Sequence, residues 1–261
     1  MYTIGIIGGS GVYDMPGIEL VKNITLDTPY GAPSGAYSVI KISGREAVFL
    51  PRHGSGHSIA PHRVNYRANL WGFKELGVCR ILSTGAVGGI NRLFNAGDIA
   101  IADQLIDMTK GRESTFYNEG KVYHVDFTSP YCPQLRQAFI DGAKSLNFHV
   151  HTRGTYVCTE GPRLESAAEI RFYSIIGADM VGMTAMPEAQ LARELEICYS
   201  TVAVITNPAA GIAADRLTVT EVMATMKESS ERLNALIART ISVVTTERRC
   251  SCGEALKDAG M

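Results

Sequence analysis

The chain of 261 residues carries almost no excess charge, with 25 lysines and arginines against 26 aspartates and glutamates and a net charge of −1. A nucleic-acid surface needs a basic surplus, so no nucleic-acid partner is expected. A small anion held by a few placed cations remains possible. No window holds the ~18 uninterrupted apolar residues of a membrane span, so no membrane partner is expected either. The start, Met1-Tyr-Thr-Ile-Gly-Ile-Ile-Gly-Gly9, lacks the basic region and cleavage pattern of a signal peptide. Cysteine is sparse and dispersed, at Cys79, Cys132, Cys158, Cys198, Cys250 and Cys252. That distribution reads as reduced thiols of a cytoplasmic protein rather than a secreted disulfide framework. Linkers rich in Pro or Ser, charge blocks, internal repeats and low-complexity tracts are all missing.

What is present is an alternation of strand and helix signals. Ile4, Ile6 and Ile7 make a buried strand running into Gly8-Gly9-Ser10-Gly11, and Glu46 to Leu50 is a second apolar run, ending in Pro51-Arg52-His53-Gly54. A helix is expected from about His62 to Leu76, capped by Gly77. Cys79 to Ser83 is strand-like and breaks into Thr84-Gly-Ala-Val-Gly-Gly89; Ile99 to Met108 is a further strand. Helices follow over Gln134–Leu146, Ser166–Ile176 and Pro187–Ile197, and strands over Gly154–Cys158, Met180–Thr184 and Ser200–Thr206. The last helix opens on a capping-box pattern, Thr218-Val-Thr-Glu221, and carries an apolar stripe of Val222, Met226, Leu233, Ile237 and Ile241. This rhythm predicts one α/β domain over residues 1–246, a central mixed sheet flanked by helices, with 247–261 as a tail. Between Thr109 and Pro130 the chain lacks periodicity and carries Arg112, Tyr117, Tyr123 and His124. An unpatterned stretch of that length is usually functional or disordered.

Ligands of α/β sheets collect at the carboxyl ends of strands. Gly8-Gly9-Ser10-Gly11 suits an anion, because glycines let backbone N–H groups approach and Ser10 adds a hydroxyl. It is neither a dinucleotide fingerprint, since Asp14 stands three residues after Gly11, nor a P-loop, since no Gly-Lys-Ser/Thr follows. At the next exit, Arg52 could grip a phosphate bidentately while His53 adds a donor. His57 and His62 nearby invite a metal, but zinc sites gather carboxylates or cysteines around them, and none is expected. Thr84 to Gly89 reads as a second glycine-rich exit, or as close packing of strand on helix. Glu160-Gly-Pro-Arg-Leu-Glu165 and Thr206-Asn207-Pro208-Ala209-Ala210-Gly211 add carboxylates and an amide, each also explicable as capping or turn chemistry.

Together these segments resemble the trimeric and hexameric purine nucleoside phosphorylases, in their methylthioadenosine-phosphorylase-like branch, from Gly5 to about Thr246. The resemblance is carried by Ile6-Ile-Gly-Gly-Ser-Gly11, Pro51-Arg-His-Gly54, Val64-Asn-Tyr-Arg-Ala-Asn69, Glu160-Gly-Pro-Arg163 and Gly182-Met-Thr-Ala-Met-Pro-Glu188. It implies cleavage of purine nucleosides by inorganic phosphate, a co-substrate, to free base and ribose 1-phosphate or its 5-methylthio analogue, with no metal or organic cofactor. It further implies a homotrimer or homohexamer and a role in purine salvage. Phosphate contacts would come from Ser10, Arg52, His53, Gly85, Ala86 and Thr184. Met183 would lie under the ribose and Asn207, Pro208 and Ala209 would border the base, with Asn207, Arg52 and His53 as the catalytic set. The adenine-specific branch carries aspartate where this chain has Asn207, another where it has Ala209, and serine where it has Glu165. Asn207 can donate to O6 and N7 of a 6-oxopurine while Glu165 accepts from N1–H, so inosine-type substrates are expected over adenosine-type ones.

Val219, Val222 and Met223 would face the sugar's 5′ substituent, where an apolar wall suits a methylthio group; Val222 and Met223 can equally belong to the core stripe. S-methyl-5′-thioinosine and inosine or guanosine are thus both live substrates, with methylthioadenosine phosphorylase as the alternative. A non-catalytic nucleoside-binding protein has no use for a separate phosphate pocket, and a hydrolase has less use for Arg52. His124 is expected to help close the site, over a neighbouring subunit's pocket. Cys250-Ser-Cys252 resembles the terminal Cys-x-Cys of heat-adapted members, and reads either as a strained, easily reduced disulfide or as two exposed thiols on a frayed tail.

Overall fold

A computed structural model describes residues 2–9, 17–213, 219–245 and 247–261, the side chains of Val219 and Glu221 excepted. Strand β1 (Ile4–Gly8) is buried along its whole length, as a continuous apolar run in a sheet covered on both faces must be. It lies parallel between β4 (Arg45–Pro51) and β5 (Arg80–Gly89), with Gly8 opposite Pro51 and Ile7 opposite Ser83. A hairpin, β2 (Glu19–Ile24) and β3 (Tyr37–Ile42), extends the sheet beyond β4 and has no counterpart in the sequence reading. Every β2 side chain but Ile24 is exposed, so the strand shows none of the in–out alternation that would betray it.

The helix expected from His62 begins later. Pro61–Arg63 is a short 3-10 turn, and α1 (Tyr66–Glu75) starts where the Asn65 side chain caps the N–H of Ala68. The Ile99–Met108 run divides into β6 (Ile99–Ile101), antiparallel to β10 (Cys198–Pro208), and β7 (Gln104–Met108), parallel to β8 (Thr155–Thr159). Helix α2 (Pro133–Ser145) lies near its expected place, and α3 (Ala167–Ile175) opens on a capping box between Ser166 and Glu169. Strand β9 (Met180–Gly182) pairs with β8 and turns through Met183 and Thr184 into α4 (Ala185–Glu194). Of α5 (Val219–Val243), the expected Thr218–Glu221 box falls outside the described groups.

The described strands form one mixed sheet of ten, with β10 on the far side of β5. Tyr37, Leu70, Phe73, Ala189 and Leu191 fill one face under α1 and α4; Ile6, Phe49, Phe139, Val202, Leu233, Ile237 and Ile241 fill the other under α2 and α5. The single-domain α/β architecture with a central mixed sheet is therefore as expected.

One correction bears on the site. Thr84–Gly89 is not a strand exit: β5 runs through it, paired with β10 as far as Gly89. Its other edge pairs with β1 only up to Ser83 and with β9 only from Gly88. Residues 84–87 thus leave one edge without a strand partner among the described residues, beside the ends of β1 and β4.

Candidate active site

The ends of β1 and β4 and the open edge of β5 meet at Arg52. Its backbone N–H donates to Gly8 O at 3.0 Å, and a Cβ on Gly8 would lie 2.1 Å from Thr84 Oγ1, so only glycine admits this approach. The Arg52 side chain is 2% exposed. Its Nε and Nη2 each donate to a Glu188 carboxylate oxygen at 2.8 Å, Nη2 also to Ser83 Oγ at 2.8 Å, and Nη1 to Thr84 O at 2.8 Å. Burial pulls its pKa down, but the Glu188 carboxylate outweighs this and holds the guanidinium charged. Glu188, fully buried, also accepts from Tyr199 OH at 2.7 Å.

The bidentate phosphate grip expected of Arg52 is therefore corrected: that fork is occupied by Glu188. Of the N–H groups of a guanidinium, the one on Nη1 not used by Thr84 has no partner among the described residues. It is what Arg52 has to offer an anion, together with its fixed charge.

His53 is corrected in the same way. Its Nδ1 faces Ile59 O at 2.8 Å, a contact in which nitrogen must be the donor. Burial and the neighbouring Arg52 charge lower its pKa to about 4, so the ring is neutral near pH 7. Nε2 is then an acceptor, not the expected donor, and suits the P–OH of monohydrogen phosphate.

Thr84 turns its carbonyl toward Arg52, and peptide groups alternate along a strand, so the Ala86 N–H faces the same open edge. Ala86 is exposed, and a Cβ on Gly85 would lie 3.6 Å from Thr184 Oγ1. Gly85, Ala86 and Thr184 thus come together with Arg52 around the end of β1. Ser10, expected to join them, lies outside the described residues.

Met183 follows on the same turn as Thr184. Its sulfur packs against Gly161, where a Cβ would lie 2.6 Å away. Beneath it is Arg112, a residue for which no role was expected. From the unpatterned 109–130 stretch, its guanidinium donates to the carbonyls of Met183 (2.8 Å), Thr159 (3.1 Å) and Glu160 (2.7 Å), and Nε lies 3.4 Å from Glu160 Oε2. Arg112 therefore ties the ends of β8 and β9 together.

Glu165 and Asn207 approach from two different elements. Thr159 Oγ1 donates to Glu165 Oε1 at 2.6 Å and leans on Gly182 O at 3.4 Å, which ties this carboxylate to the end of β9. Strand β10 shifts register between Ile205 and Asn207, a bulge of the kind that re-aims a side chain. Asn207 Oδ1 accepts from Thr206 Oγ1 and Nδ2 donates to Pro208 O, both at 2.8 Å, which leaves one Nδ2 hydrogen. Pro208 is half-buried. Ala209 is buried among Val157, Ile170 and Val181. A Cβ on Gly211 would meet Ala167 at 2.6 Å, so the segment after Asn207 packs on the start of α3, just past Glu165.

The remaining expected residues are less engaged. Val222 is half-buried and Met223 is 64% exposed; the buried part of the stripe is Leu233, Ile237 and Ile241, with Met226 at its edge, so neither belongs to the core. The Val219 side chain lies outside the description. His124 is exposed and its N–H donates to Ala259 O at 2.9 Å. The frayed-tail reading is overturned: Ser251–Glu254 is a 3-10 turn and Cys252 is 3% exposed. The six cysteines are not joined in disulfides in this structure. No helix among the described residues is long and apolar enough to cross a membrane.

Comparison with known proteins identifies the family. The family model described as the phosphorylase superfamily matches residues 3–242. A 6-oxopurine nucleoside phosphorylase of Pyrococcus furiosus is 53% identical over 99% of both chains. A probable S-methyl-5′-thioinosine phosphorylase of Thermodesulfovibrio yellowstonii is 50% identical, covering 98% of this chain and 96% of its own. Among solved structures, a methylthioadenosine phosphorylase from an antarctic soil metagenomic library superposes with a TM-score of 0.94 at 35% identity, covering 100% of this chain and 92% of that one.

Proposed function

The chain belongs to the phosphorylase superfamily, and from that premise we propose that it splits 6-oxopurine nucleosides with inorganic phosphate, releasing the free base and a ribose 1-phosphate. The observation that carries the base assignment is the pair at the ends of β8 and β10. Asn207 retains one Nδ2 hydrogen, and the Glu165 carboxylate is held by Thr159 through one oxygen with the other left over. A hypoxanthine or guanine ring presents O6 and N7 as acceptors and N1–H as donor, and the two side chains match that pattern. The names of the Pyrococcus furiosus and Thermodesulfovibrio yellowstonii relatives support the same class.

In this reading the reaction needs no enzyme nucleophile. The C1′–N9 bond breaks through an oxocarbenium-like sugar, and phosphate oxygen bonds to C1′ from the opposite face. The protein positions the phosphate and stabilises the separated charges. Arg52 supplies a fixed positive charge that Glu188 keeps from moving, the Ala86 N–H and Thr184 supply neutral donors, and neutral His53 takes the phosphate hydroxyl. Asn207 meets the negative charge that develops at N7 and O6 as the base leaves. Inorganic phosphate is a co-substrate and no cofactor takes part. We further read the protein as a cytoplasmic homotrimer or homohexamer of purine salvage. On the 5′ side the apolar Val222 and Met223 favour a methylthio group, so S-methyl-5′-thioinosine stands beside inosine and guanosine in the substrate class.

The direct test is release of hypoxanthine from inosine or S-methyl-5′-thioinosine with and without phosphate. Release that depends on phosphate, with stoichiometric sugar 1-phosphate, is expected. Equal release in its absence would mean hydrolysis, and binding without release would mean a nucleoside-binding protein.

A further inference from the structure

Four of the six cysteines meet at one point that the phosphorolysis reading does not use. The sulfurs of Cys132, Cys198, Cys250 and Cys252 all lie within 4.8 Å of one another. Cys250 Sγ is 3.3 Å from Cys198 Sγ and 3.6 Å from Cys132 Sγ. Three separate parts of the chain supply them: the N-cap of α2, the first residue of β10, and the tail around its 3-10 turn. Cys132, Cys198 and Cys252 are buried and Cys250 is partly so. The point is far from the base pocket, since Cys198 and Asn207 stand near opposite ends of β10, about 30 Å apart along an extended strand.

Four sulfurs converging from separate elements have the number and chemistry of a metal ligand set, although they also pack against Leu135 and Val244. In a tetrahedral zinc tetrathiolate the Zn–S bonds of about 2.3 Å put the sulfurs about 3.8 Å apart, inside the range found here. The surroundings suit the charge as well. Binding would release four thiol protons and leave a dianionic centre. Cys132 stands at the N-cap position of a helix of 13 residues, whose positive end favours a thiolate. The Arg248 guanidinium crosses the tail beside Cys252, where a Cβ on Gly253 would lie 2.7 Å from its Nη2. Soft thiolate sets of this kind select zinc over hard divalent ions.

We propose that Cys132, Cys198, Cys250 and Cys252 bind one zinc ion as a structural site that fastens the C-terminal tail to α2 and β10. The fastening has a reach beyond the tail. Met261 N–H donates to Val122 O at 3.0 Å and His124 N–H to Ala259 O at 2.9 Å, so the chain end is laced to the segment that carries Arg112. A loosened tail frees that segment and, through Arg112, the turn at Met183. This last consequence rests on the proposed function; the metal site does not.

The test uses the full chain expressed with zinc and purified without reductant or chelator. Elemental analysis is expected to find about one zinc per chain, and denaturation with chelator should then release all six cysteines as free thiols. Cobalt added to the stripped chain should give the intense visible bands of tetrahedral thiolate coordination. Changing Cys250→Ser and Cys252→Ser together should take metal content to near zero and lower Tm, while Cys79→Ser should change neither. Zinc-free protein whose missing thiols return only on reduction would overturn the proposal in favour of disulfides. Six free thiols with no cobalt bands would overturn it in favour of bare packing. Should the double variant fail to fold, metal content and the cobalt spectrum of the unaltered chain still decide.

Discussion

The change Glu165→Gln isolates the group on which the proposed base selection rests. Glu165 Oε1 is held by Thr159 Oγ1 at 2.6 Å, a hydroxyl donor, so the amide oxygen of the introduced side chain would keep that place. Its NH2 would then stand where the second carboxylate oxygen stood. Toward a 6-oxopurine it would oppose N1–H with another donor, and a hydrogen bond to a charged acceptor would be lost. Such a bond contributes about 1.5–3 kcal/mol, which corresponds to a fall in kcat/KM of roughly 10- to 150-fold for inosine or methylthioinosine. Adenine has an unprotonated N1 that accepts, so the same NH2 should be neutral or favourable toward methylthioadenosine. The assay is steady-state phosphorolysis of both nucleosides at saturating phosphate. The ratio of their kcat/KM values should swing toward adenine by at least the factor lost on inosine. Equal losses on the two substrates, with unchanged Tm, would refute the reasoning, because they would place Glu165 away from the base edge.

Three further outcomes follow from the anion side. Arg52→Ala should weaken use of phosphate far more than affinity for the base, in kinetics with phosphate and nucleoside varied separately; equal losses in both would count against the assignment. Glu188→Gln leaves a fully buried Arg52 without its carboxylate, and one-sided removal of a buried pair typically costs about 3–5 kcal/mol. For a chain of this size that is a Tm lower by roughly 10 °C, and an unchanged melting curve would show the pair to be dispensable. The depressed pKa of His53, about 4 against an ordinary 6.5, also makes stability depend on pH. The unfolded ring takes up its proton as pH falls through 6.5 while the folded ring resists until about 4. Stability present above 6.5 is therefore lost across that window, up to about 3 kcal/mol. His53→Gln should flatten that part of the pH–Tm curve relative to the unaltered protein.

Much of the architecture was legible because its signals are local. Ile4-Gly-Ile-Ile7 is a fully buried strand and reads as one, and the regular alternation with helices at 133–145 and 167–175 points to a mixed α/β sheet. The edge hairpin was not legible, since an exposed strand such as Glu19–Ile24 has no apolar face to display. Gly85, Gly88 and Gly89 misled for a physical reason: glycine marks a turn and a closely packed strand alike, and only the pairing with β10 tells them apart.

At the site, residue types and strand ends were enough to nominate anion and base groups, but hydrogen-bond roles depend on long-range partners. Nothing in Pro51-Arg52-His53 announces that Glu188 occupies the guanidinium fork or that Ile59 O takes the imidazole N–H. The signal for Arg112 was present only as a polar stretch too long to be idle. The cysteine cluster shows the same limit, because Cys132 and Cys250 are separated by 118 positions and meet only in the fold.

The central claim is that this pocket recognises a 6-oxopurine and delivers phosphate to its nucleoside. The measurement that bears on it most directly is kcat/KM for S-methyl-5′-thioinosine against methylthioadenosine at saturating phosphate, where the sugar is identical and only the base edge differs. A site built to hydrogen-bond one edge rejects the mismatched one strongly, because its polar groups are left unpaired. The account predicts a preference of at least about a hundredfold for the inosine analogue. Comparable rates on the two nucleosides would contradict it.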